Sequence, residues 1–560
     1  MPNIDPITVI VLLPLLGAAA AFLLGSFAGS RGAGYAVALS LALGAFPLTA
    51  AFSAVRTGGA ILTVAGDWAP SVGIHLVLDG VAWVMLVTFF FVAFLILIYS
   101  IGEGSFGAHF YAVYAVAVAG MAGVVLSADL FNLFVFFEGL SLSATVLIAY
   151  KRRLTGLYAA FRYLLITVVS VALYLLGLFM LYRESGELAF SLILPDGGSA
   201  AAGVVGSSSF AGILLFSGIA IRVALVPFHT WLPDAHGQAP HPVSALLSGL
   251  MIKAAFVALW RIVSLFSGDP RFMELLLIIG VVSALFGVIL ALAQSDAKRL
   301  LAYHSISQMG YIAAAAGAGA LTGALYHAVG HALFKSLLFL VVGYYISLTG
   351  SRTLYRMRPA DSAGALPPLL FLVGAGAIVG LPPFTGFVSK GLIGAAVKEP
   401  PAYWGLKLVA LGTAGSFIKL AWFMLTAGRR ASGPEGAGGA YVTGSGVSAP
   451  GVRSKAMMMV GMSGIALPVL LLGLFPARVL ALLGRLRLSG SPEAPTDAYT
   501  LAAVLESIVI LALGALLFAW LRSAGGKWIA FKIRAVRLGV DGSLAVIAFG
   551  VLAAFGLFLI

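Results

Sequence analysis

The chain has 560 residues, of which 61% are hydrophobic and 9% charged, and its mean hydropathy is +1.08. This composition excludes an ordinary soluble domain and indicates a membrane protein with many spans. The absence of cysteine excludes disulfides, thiolate metal sites and Cys-ligated iron–sulfur clusters within this chain. The formal net charge of +13 resides mostly in short loops, which favours a role in membrane topology over nucleic-acid binding.

We predict an all-α polytopic membrane protein. One span needs about 20 apolar residues, and apolar runs of that length recur from end to end. The first run lacks a basic n-region, so we interpret it as a retained helix and not as a cleaved signal peptide. About sixteen transmembrane helices are predicted, at residues 5–25, 33–54, 76–99, 109–126, 129–149, 160–183, 210–229, 241–263, 272–293, 299–317, 320–347, 366–395, 404–426, 457–475, 501–522 and 542–560.

The loops between these helices carry basic residues unevenly. With the N-terminus outside, the inner loops contain eighteen Lys and Arg residues and the outer loops seven. The positive-inside rule therefore predicts this orientation in the inner (plasma) membrane. Residues 195–209 and 428–454 are Gly/Ser-rich and predicted to be loops. Residues 523–541 mix basic and apolar side chains, which is typical of a short helix lying along the inner surface.

Two proline-containing stretches interrupt apolar segments. The sequence "VPFHTW" around Pro227 resembles "PPFTGF" around Pro382 and Pro383. Proline removes a backbone hydrogen bond, so the helices at 210–229 and 366–395 are expected to break there. Corresponding broken helices in two halves of a transporter point to its binding site, whereas two ordinary proline kinks would carry no function. The sequence alone leaves both interpretations open.

Several ionisable residues fall at membrane depth, where a charge costs at least about 2.5 kcal/mol and normally faces the protein interior or water. In "YHAVGHALFKSLLFL", His327, His331 and Lys335 share one helix face because they recur every four positions. The candidate proton or ion pathway comprises Glu138, Arg222, Lys253, His327, His331, Lys335 and Lys390, with His229, His304, Ser305, Gln308 and Lys419 as a secondary polar axis.

Each of these residues has a structural interpretation when taken singly. A lone buried histidine is usually a hydrogen-bonded core residue, a lysine near a helix end usually extends to the interface, and Glu138 with Arg222 could be a static pair. Together they indicate a hydrophilic axis suited to proton relay, because histidine and desolvated lysine can both titrate near neutral pH. His327 and His331 have no carboxylate nearby in the sequence, so no metal site is predicted.

The motifs that carry these residues resemble a known family. They are "FFEGLSLSATVLIAY", "VPFHTWLPDAHGQAPHPVSALLSGLMIK", "LLAYHSISQMGYI", "YHAVGHALFKSLLFL" and "GLPPFTGFVSK". Over roughly residues 75–425 the chain is similar to the antiporter-like membrane subunits of Mrp-type sodium/proton antiporters, energy-converting membrane hydrogenases and the proton-pumping arm of respiratory complex I. The histidine-rich eleventh helix is closer to the Mrp D-type and hydrogenase-type subunits.

The resemblance implies a fourteen-helix core with two inverted five-helix repeats, each with one broken helix. It places the repeats at 109–263 and 272–426, after N-terminal helices at 1–108 and before an inner loop and C-terminal helices at 427–560. Glu138 would then be the glutamate of the fifth helix and Lys253 the lysine of the eighth. The central relay would run along His327, His331 and Lys335, and Lys390 would lie near the exit.

Arg222 departs from the family pattern, because the resemblance implies a lysine at this position of the seventh helix. A buried lysine can lose its proton, whereas an arginine in practice cannot. Arginine also binds a carboxylate bidentately. The Glu138–Arg222 pair is therefore either a switch operated by Glu138 or a lock.

We expect an ion-translocating subunit whose partners are other membrane subunits, the lipid bilayer and protons, with Na⁺ handled here or by a partner. No cofactor is predicted, so oxidoreductase activity would belong to the assembly. One alternative is a non-transporting structural subunit that anchors the partners of a redox-driven or antiporter complex. A stand-alone carrier for a small solute is disfavoured by the motifs.

Overall fold

The fold is described from a computed structural model. The loops predicted at 195–209 and 428–454 fall almost wholly outside the residues that the structure describes. Those residues are 5–65, 68, 73–193, 209–266, 269–357, 364–425, 452–486, 499–535 and 539–559.

The first part of the chain forms helices and one hairpin. The helix predicted at 33–54 is two consecutive helices, and the helix predicted from residue 76 begins at Gly80. The elements are α1 (Pro6–Phe27), α2 (Gly29–Leu43), α3 (Ala45–Val55), β1 (Ile61–Ala65), β2 (Ile74–Leu78), α4 (Gly80–Glu103), α5 (Ala108–Leu126), α6 (Leu130–Ala149), α7 (Leu154–Ser185), α8 (Phe190–Ile193) and α9 (Ser209–Val223).

In the rest of the chain, the regular elements of the described residues are helices. Its elements are α10 (Leu232–Gln238), α11 (His241–Leu265, with a π-helical turn at Leu247–Met251), α12 (Pro270–Ala293), α13 (Ala297–Gly317), α14 (Leu321–Thr349), a 3₁₀ turn (Leu354–Arg356), α15 (Leu366–Val379), α16 (Thr385–Ala396), α17 (Pro400–Leu425), α18 (Val452–Leu474), α19 (Pro476–Arg485), α20 (Leu501–Leu521), α21 (Ala524–Ala535) and α22 (Val540–Leu559).

The antiparallel hairpin of β1 and β2 was not predicted. Ile61 pairs with Leu78 and Ala65 with Ile74. The β2 sequence "IHLVL" runs into the apolar start of α4, so hydropathy alone merges the two elements. Asp79 marks the true boundary, because its side chain accepts a hydrogen bond from the backbone N–H of Ala82 at 2.8 Å and caps the helix.

Among the described residues, twelve helices are long and apolar enough to cross a membrane. Each of the sixteen predicted segments contains at least one helix of the structure. The four segments outside those twelve are the short α9, the polar α13, the broken pair α15 and α16, and α22. The fold is therefore that of an all-α polytopic membrane protein, while the count of sixteen spans and the inverted repeats stay predictions.

The first predicted break lies between α9 and α10. Helix α9 ends at Val223, and an irregular turn over residues 224–231 contains Pro227. The indole N–H of Trp231 donates to the carbonyl of Ile221 at 2.8 Å. The same carbonyl accepts from the backbone N–H of Ala224 at 3.2 Å, so two donors meet it at the helix end.

The second predicted break lies between α15 and α16. Helix α15 ends at Val379, and Gly380 has φ +91°, a left-handed conformation that glycine adopts without steric cost. Helix α16 begins two residues after Pro383. The peptide bonds that precede Pro227 and Pro383 are both cis. The backbone N–H groups of Gly380 and Leu381 bond the carbonyls of Gly376 and Ala377, which leaves the last carbonyls, those of Ile378 and Val379, available to side chains.

The basic segment near the C-terminus forms α21 within the predicted range 523–541. Trp528 and Phe531 are exposed on this helix, and Lys527 and Lys532 lie beside them in the sequence. Exposed aromatic and basic side chains on one short helix are typical of a membrane interface.

Candidate functional site

The central row, which consists of His327, His331 and Lys335, lies on a helix that other helices surround. His327, His331 and Lys335 are fully buried on α14, so the predicted inward orientation is observed. Their spacing of four residues places them one above another on a single face. The helices that pack against α14 are α4, α11, α13, α15, α16 and α18.

His327 is fixed by both ring nitrogens. Nδ1 lies 2.8 Å from the hydroxyl of Ser389 on α16, and Nε2 lies 3.1 Å from Oε1 of Gln308 on α13. His327 therefore links three helices, and its ring stacks on His331 with centroids 6.2 Å apart.

His331 and Lys335 lack such partners. Neither ring nitrogen of His331 nor Nζ of Lys335 has a hydrogen-bond partner among the described residues. The Lys335 ammonium lies 5.8 Å from the ring centroid of Phe339. A buried polar group without a partner is destabilising by about 1–3 kcal/mol, so packing alone does not account for these residues.

Lys253 is bound at the π-helical turn of α11. Its ammonium donates to the carbonyl of Ser248, within the turn at Leu247–Met251. Such turns shift the helical hydrogen-bond register and frequently occur at functional sites. The Ser248 hydroxyl lies 2.7 Å from that of Ser305 on α13, which joins the turn to the secondary axis. Lys253 is fully buried and near enough to Lys335 for their charges to interact.

Lys390 occupies the second helix break. Its Nζ donates to the carbonyls of Ile378 at 2.6 Å and Val379 at 3.3 Å, at the end of α15. It follows Ser389, the partner of His327, so α16 presents both residues near the central row. No ion pair of the described residues includes Lys253, Lys335 or Lys390.

The predicted contact between Arg222 and Glu138 is present. The two groups meet at 2.9 Å. The guanidinium also donates to the hydroxyl of Ser170 at 2.9 Å, to the hydroxyl of Ser141 at 2.5 Å and to the carbonyl of Phe137 at 3.3 Å. The Arg222 side chain is 7% exposed and that of Glu138 is 37% exposed. The arginine side chain is thus enclosed by the protein, whereas the carboxylate of Glu138 is partly exposed at the surface of this chain.

Tyr163 on α7, which the sequence did not single out, connects this pair to the π-helical turn. It is buried and lies near Ser141 and Arg222. Its hydroxyl lies 3.9 Å from Sδ of Met251, two residues before Lys253. A tyrosine in an apolar helix gives little sequence signal, because its ring fits a core equally well.

Lys419 of the secondary axis caps a helix end. Its Nζ donates to the carbonyls of Ala291 at 3.4 Å, Leu292 at 2.6 Å and Gln294 at 2.9 Å, at the C-terminus of α12. A cation is favourable at this end because the helix carbonyls carry partial negative charge. These contacts favour a structural role.

The remaining secondary residues divide between two places. His304 Nε2 hydrogen-bonds the hydroxyl of Ser416 on α17. His229 is buried in the first break, where its ring centroid lies 5.1 Å from that of Phe286. The structure thus places Ser305 and Gln308 beside the central row, and His229 outside it.

Two ion-paired groups were missed by sequence reasoning. Asp234 on α10 pairs with both Arg162 and Arg299, and so ties three helices together beside the first break. Lys407 on α17 pairs with Glu506 on α20. Glu506 did carry a signal, because it is the one acid in the apolar run "LAAVLESIVILALGALLFAWL".

Comparisons with known proteins identify the family and the relatives of this chain. The family model described as "NADH:quinone oxidoreductase/Mrp antiporter, TM" matches residues 127–418. NADH-quinone oxidoreductase subunit N of Desulforudis audaxviator is 35% identical over 401 residues, which cover 68% of this chain and 78% of that protein. The D-type subunit of the Na⁺/H⁺ antiporter of Alkalihalophilus pseudofirmus is 32% identical over 345 residues, covering 60% and 69%. A chain of the Mrp complex structure from a Dietzia species matches with a TM-score of 0.76 and 25% identity, over 90% of this chain and 100% of that one.

Proposed function

The chain belongs to the NADH:quinone oxidoreductase/Mrp antiporter family of transmembrane subunits, and we propose that it moves protons as an antiporter-like subunit of a multisubunit complex in the plasma membrane. Its relatives include a subunit of a NADH-quinone oxidoreductase and one of a Na⁺/H⁺ antiporter. We infer that other membrane subunits complete the functional unit and supply its driving force, which is an ion gradient or redox energy.

One observation carries the proposal. A line of titratable side chains, held by neutral groups or by none, extends from the buried Lys253, Lys335, His331 and His327 to the partly buried Lys390. Both an ammonium and a neutral amine can donate to a backbone carbonyl, so these sites can hold a lysine in either protonation state. An acidic partner would instead favour the charged form. Neutral partners therefore suit residues that must gain and lose protons.

The chemistry of this line favours H⁺ over Na⁺ as the ion carried here. Na⁺ is a hard cation that is best bound by oxygen ligands, whereas the line consists of nitrogen groups that repel a cation when protonated. Where the complex exchanges sodium, we propose that another subunit provides the sodium route. The proton route would enter from one side near Lys253 or Glu138, cross the histidine row and leave near Lys390.

A non-transporting structural subunit is the second candidate. Its support is Arg222, which is held by four hydrogen-bond acceptors and in practice cannot release its proton. In that case the lysines would serve assembly, and their replacement would change yield without changing ion flux.

Transport by the complete complex in liposomes separates the two candidates. We expect Lys253→Met and Lys390→Met each to abolish proton flux, measured with a pH-sensitive dye, while the yield of assembled complex stays near normal. Lys527→Met, on the exposed face of α21, is the matched control. Unchanged flux in both the Lys253 and the Lys390 variant would leave only the structural role. A mass-spectrometric inventory of copurifying subunits would identify the assembly.

A further inference from the structure

A cavity of about 110 Å³ lies against Lys390. It is large enough for several water molecules and has polar groups to hold them. The side chains that line it and carry polar groups come from α13, α16, α17 and α20. They are Tyr311, Lys390, Tyr403, Lys407, Glu506 and Ser507.

Glu506 and Lys407 form an ion pair at this cavity. Their side chains are 44% and 28% exposed, so the pair lies at the mouth of the cavity, whereas Lys390 lies further inside. The Lys407 ammonium also lies 4.9 Å from the ring centroid of Tyr403. Glu506 is the one carboxylate in the lining, and it lies beyond residue 418, where the match to the family model ends.

Helix direction indicates which membrane side the cavity faces. Lys390 lies near the end of α16, whereas Lys407 and Glu506 lie near the starts of α17 and α20. Each residue is five to seven positions from the helix end, a rise of about 8–10 Å. With the N-terminus outside, all three ends belong to the outer surface, so the three side chains occupy one layer near the outer side.

We propose that this cavity is the outward end of the proton path and that Glu506 accepts the proton that leaves Lys390. The Lys390 ammonium gives a proton to water in the cavity and becomes a neutral amine. The water passes a proton to the Glu506 carboxylate, and the resulting carboxylic acid releases it to the outer aqueous phase. Lys407 keeps the carboxylate oriented between transfers. The inference rests on the proposed proton transport and adds a terminal acid on α20.

A purely structural ion pair between α17 and α20 is the competing explanation, and paired variants distinguish it. In the intact complex in liposomes, we expect Glu506→Gln to lower proton flux at least about fivefold with normal yield, and Glu506→Asp to retain most of the flux. If Glu506→Gln acts by leaving Lys407 unpaired, the double variant Glu506→Gln/Lys407→Gln should recover flux. Recovery would overturn the proposal, because the terminal acid would still be missing.

Two further measurements complete the test. The chain has no cysteine, so Ala503→Cys in the cavity lining can report access to a membrane-impermeant thiol reagent. We expect labelling from the outer side; labelling from the inner side alone, or none, would overturn the proposed exit. Normal flux in Glu506→Gln beside lost flux in Lys253→Met would refute the terminal acid alone. Normal flux in both would refute the proposed function as well.

Discussion

Arg222 binds Glu138 through a single contact of 2.9 Å, while its other hydrogen bonds go to neutral acceptors on Ser170, Ser141 and Phe137. The arginine therefore does not depend on the carboxylate for its position. The partly exposed acid can lose this one bond without leaving the guanidinium unpartnered. This asymmetry favours a switch in which Glu138 titrates and Arg222 is the fixed counter-charge.

Glu138→Gln tests that asymmetry. The amide oxygen can still accept from Arg222, and the neutral acceptors remain, so we expect the free energy of unfolding to change by less than about 1.5 kcal/mol. Proton flux should fall at least about tenfold, because the amide cannot take up and release a proton in the working pH range. Glu274→Gln, an exposed acid at the start of α12, is the control. A large loss of assembled complex with normal flux per complex would indicate a lock.

Arg222→Lys keeps the positive charge at this position but removes the planar set of guanidinium donors. An ammonium replaces the guanidinium charge but not its planar set of donors, so we expect the loss of one or two charge-assisted hydrogen bonds and about 1–3 kcal/mol of stability. Flux should be retained or raised, because a lysine beside Glu138 can itself release a proton. Thermal unfolding in detergent and dye-detected flux measure the two effects. Abolished flux in a stably assembled variant would contradict the switch.

The parts of the site that follow from local pattern were predictable. The spacing of His327, His331 and Lys335 alone placed them on one face, and proline chemistry indicated both helix breaks. The contacts that give these residues their chemistry depend on helices far apart in the chain. The partner of His327 is Ser389, 62 residues away, and that of Arg222 is Ser170, 52 residues away.

The π-helical turn and the hairpin show a second limit of prediction from sequence. Ser248 and its neighbours read as continuous helix, because nothing in local composition distinguishes a π turn from an α turn. The strand Ile74–Leu78 is as apolar as the helix that follows it, so hydropathy placed both in one element. Glu506 is a different case: like Glu138 it is an acid within an apolar helix, so its position in the sequence does carry a signal.

Lys335→Met tests whether the unpartnered amine is kept for function. Methionine has a similar length and no donor, so the variant removes a buried polar group that lacks a partner among the described residues. We expect the complex to be more stable by about 1–3 kcal/mol and to lose proton flux. Lys527→Met should change neither quantity. A destabilised Lys335→Met protein would show that the amine has a stabilising partner in the assembled complex.

Replacing His327 and replacing His331 with leucine should have different effects on stability. His327→Leu leaves Gln308 and Ser389 without their buried partner, so we expect a loss of about 2–4 kcal/mol. His331→Leu removes ring nitrogens that have no partner among the described residues, so its effect on stability should be near zero or favourable. Both variants should reduce flux, because each interrupts the central row. Equal destabilisation by the two substitutions would contradict the assigned contacts.

Lys419→Met should give the opposite result to Lys335→Met. The Lys419 ammonium donates to three carbonyls at the end of α12, and a buried carbonyl that loses its donor is destabilising. We expect a loss of about 1–3 kcal/mol in the free energy of unfolding, with proton flux per assembled complex close to that of the unmodified protein. Lys419→Arg, which can still donate to those carbonyls, should recover much of the stability. Thermal unfolding of the purified complex, scored beside flux normalised to assembled complex, measures both. Lost flux at normal stability would instead place Lys419 on the proton path and extend that path to the end of α12.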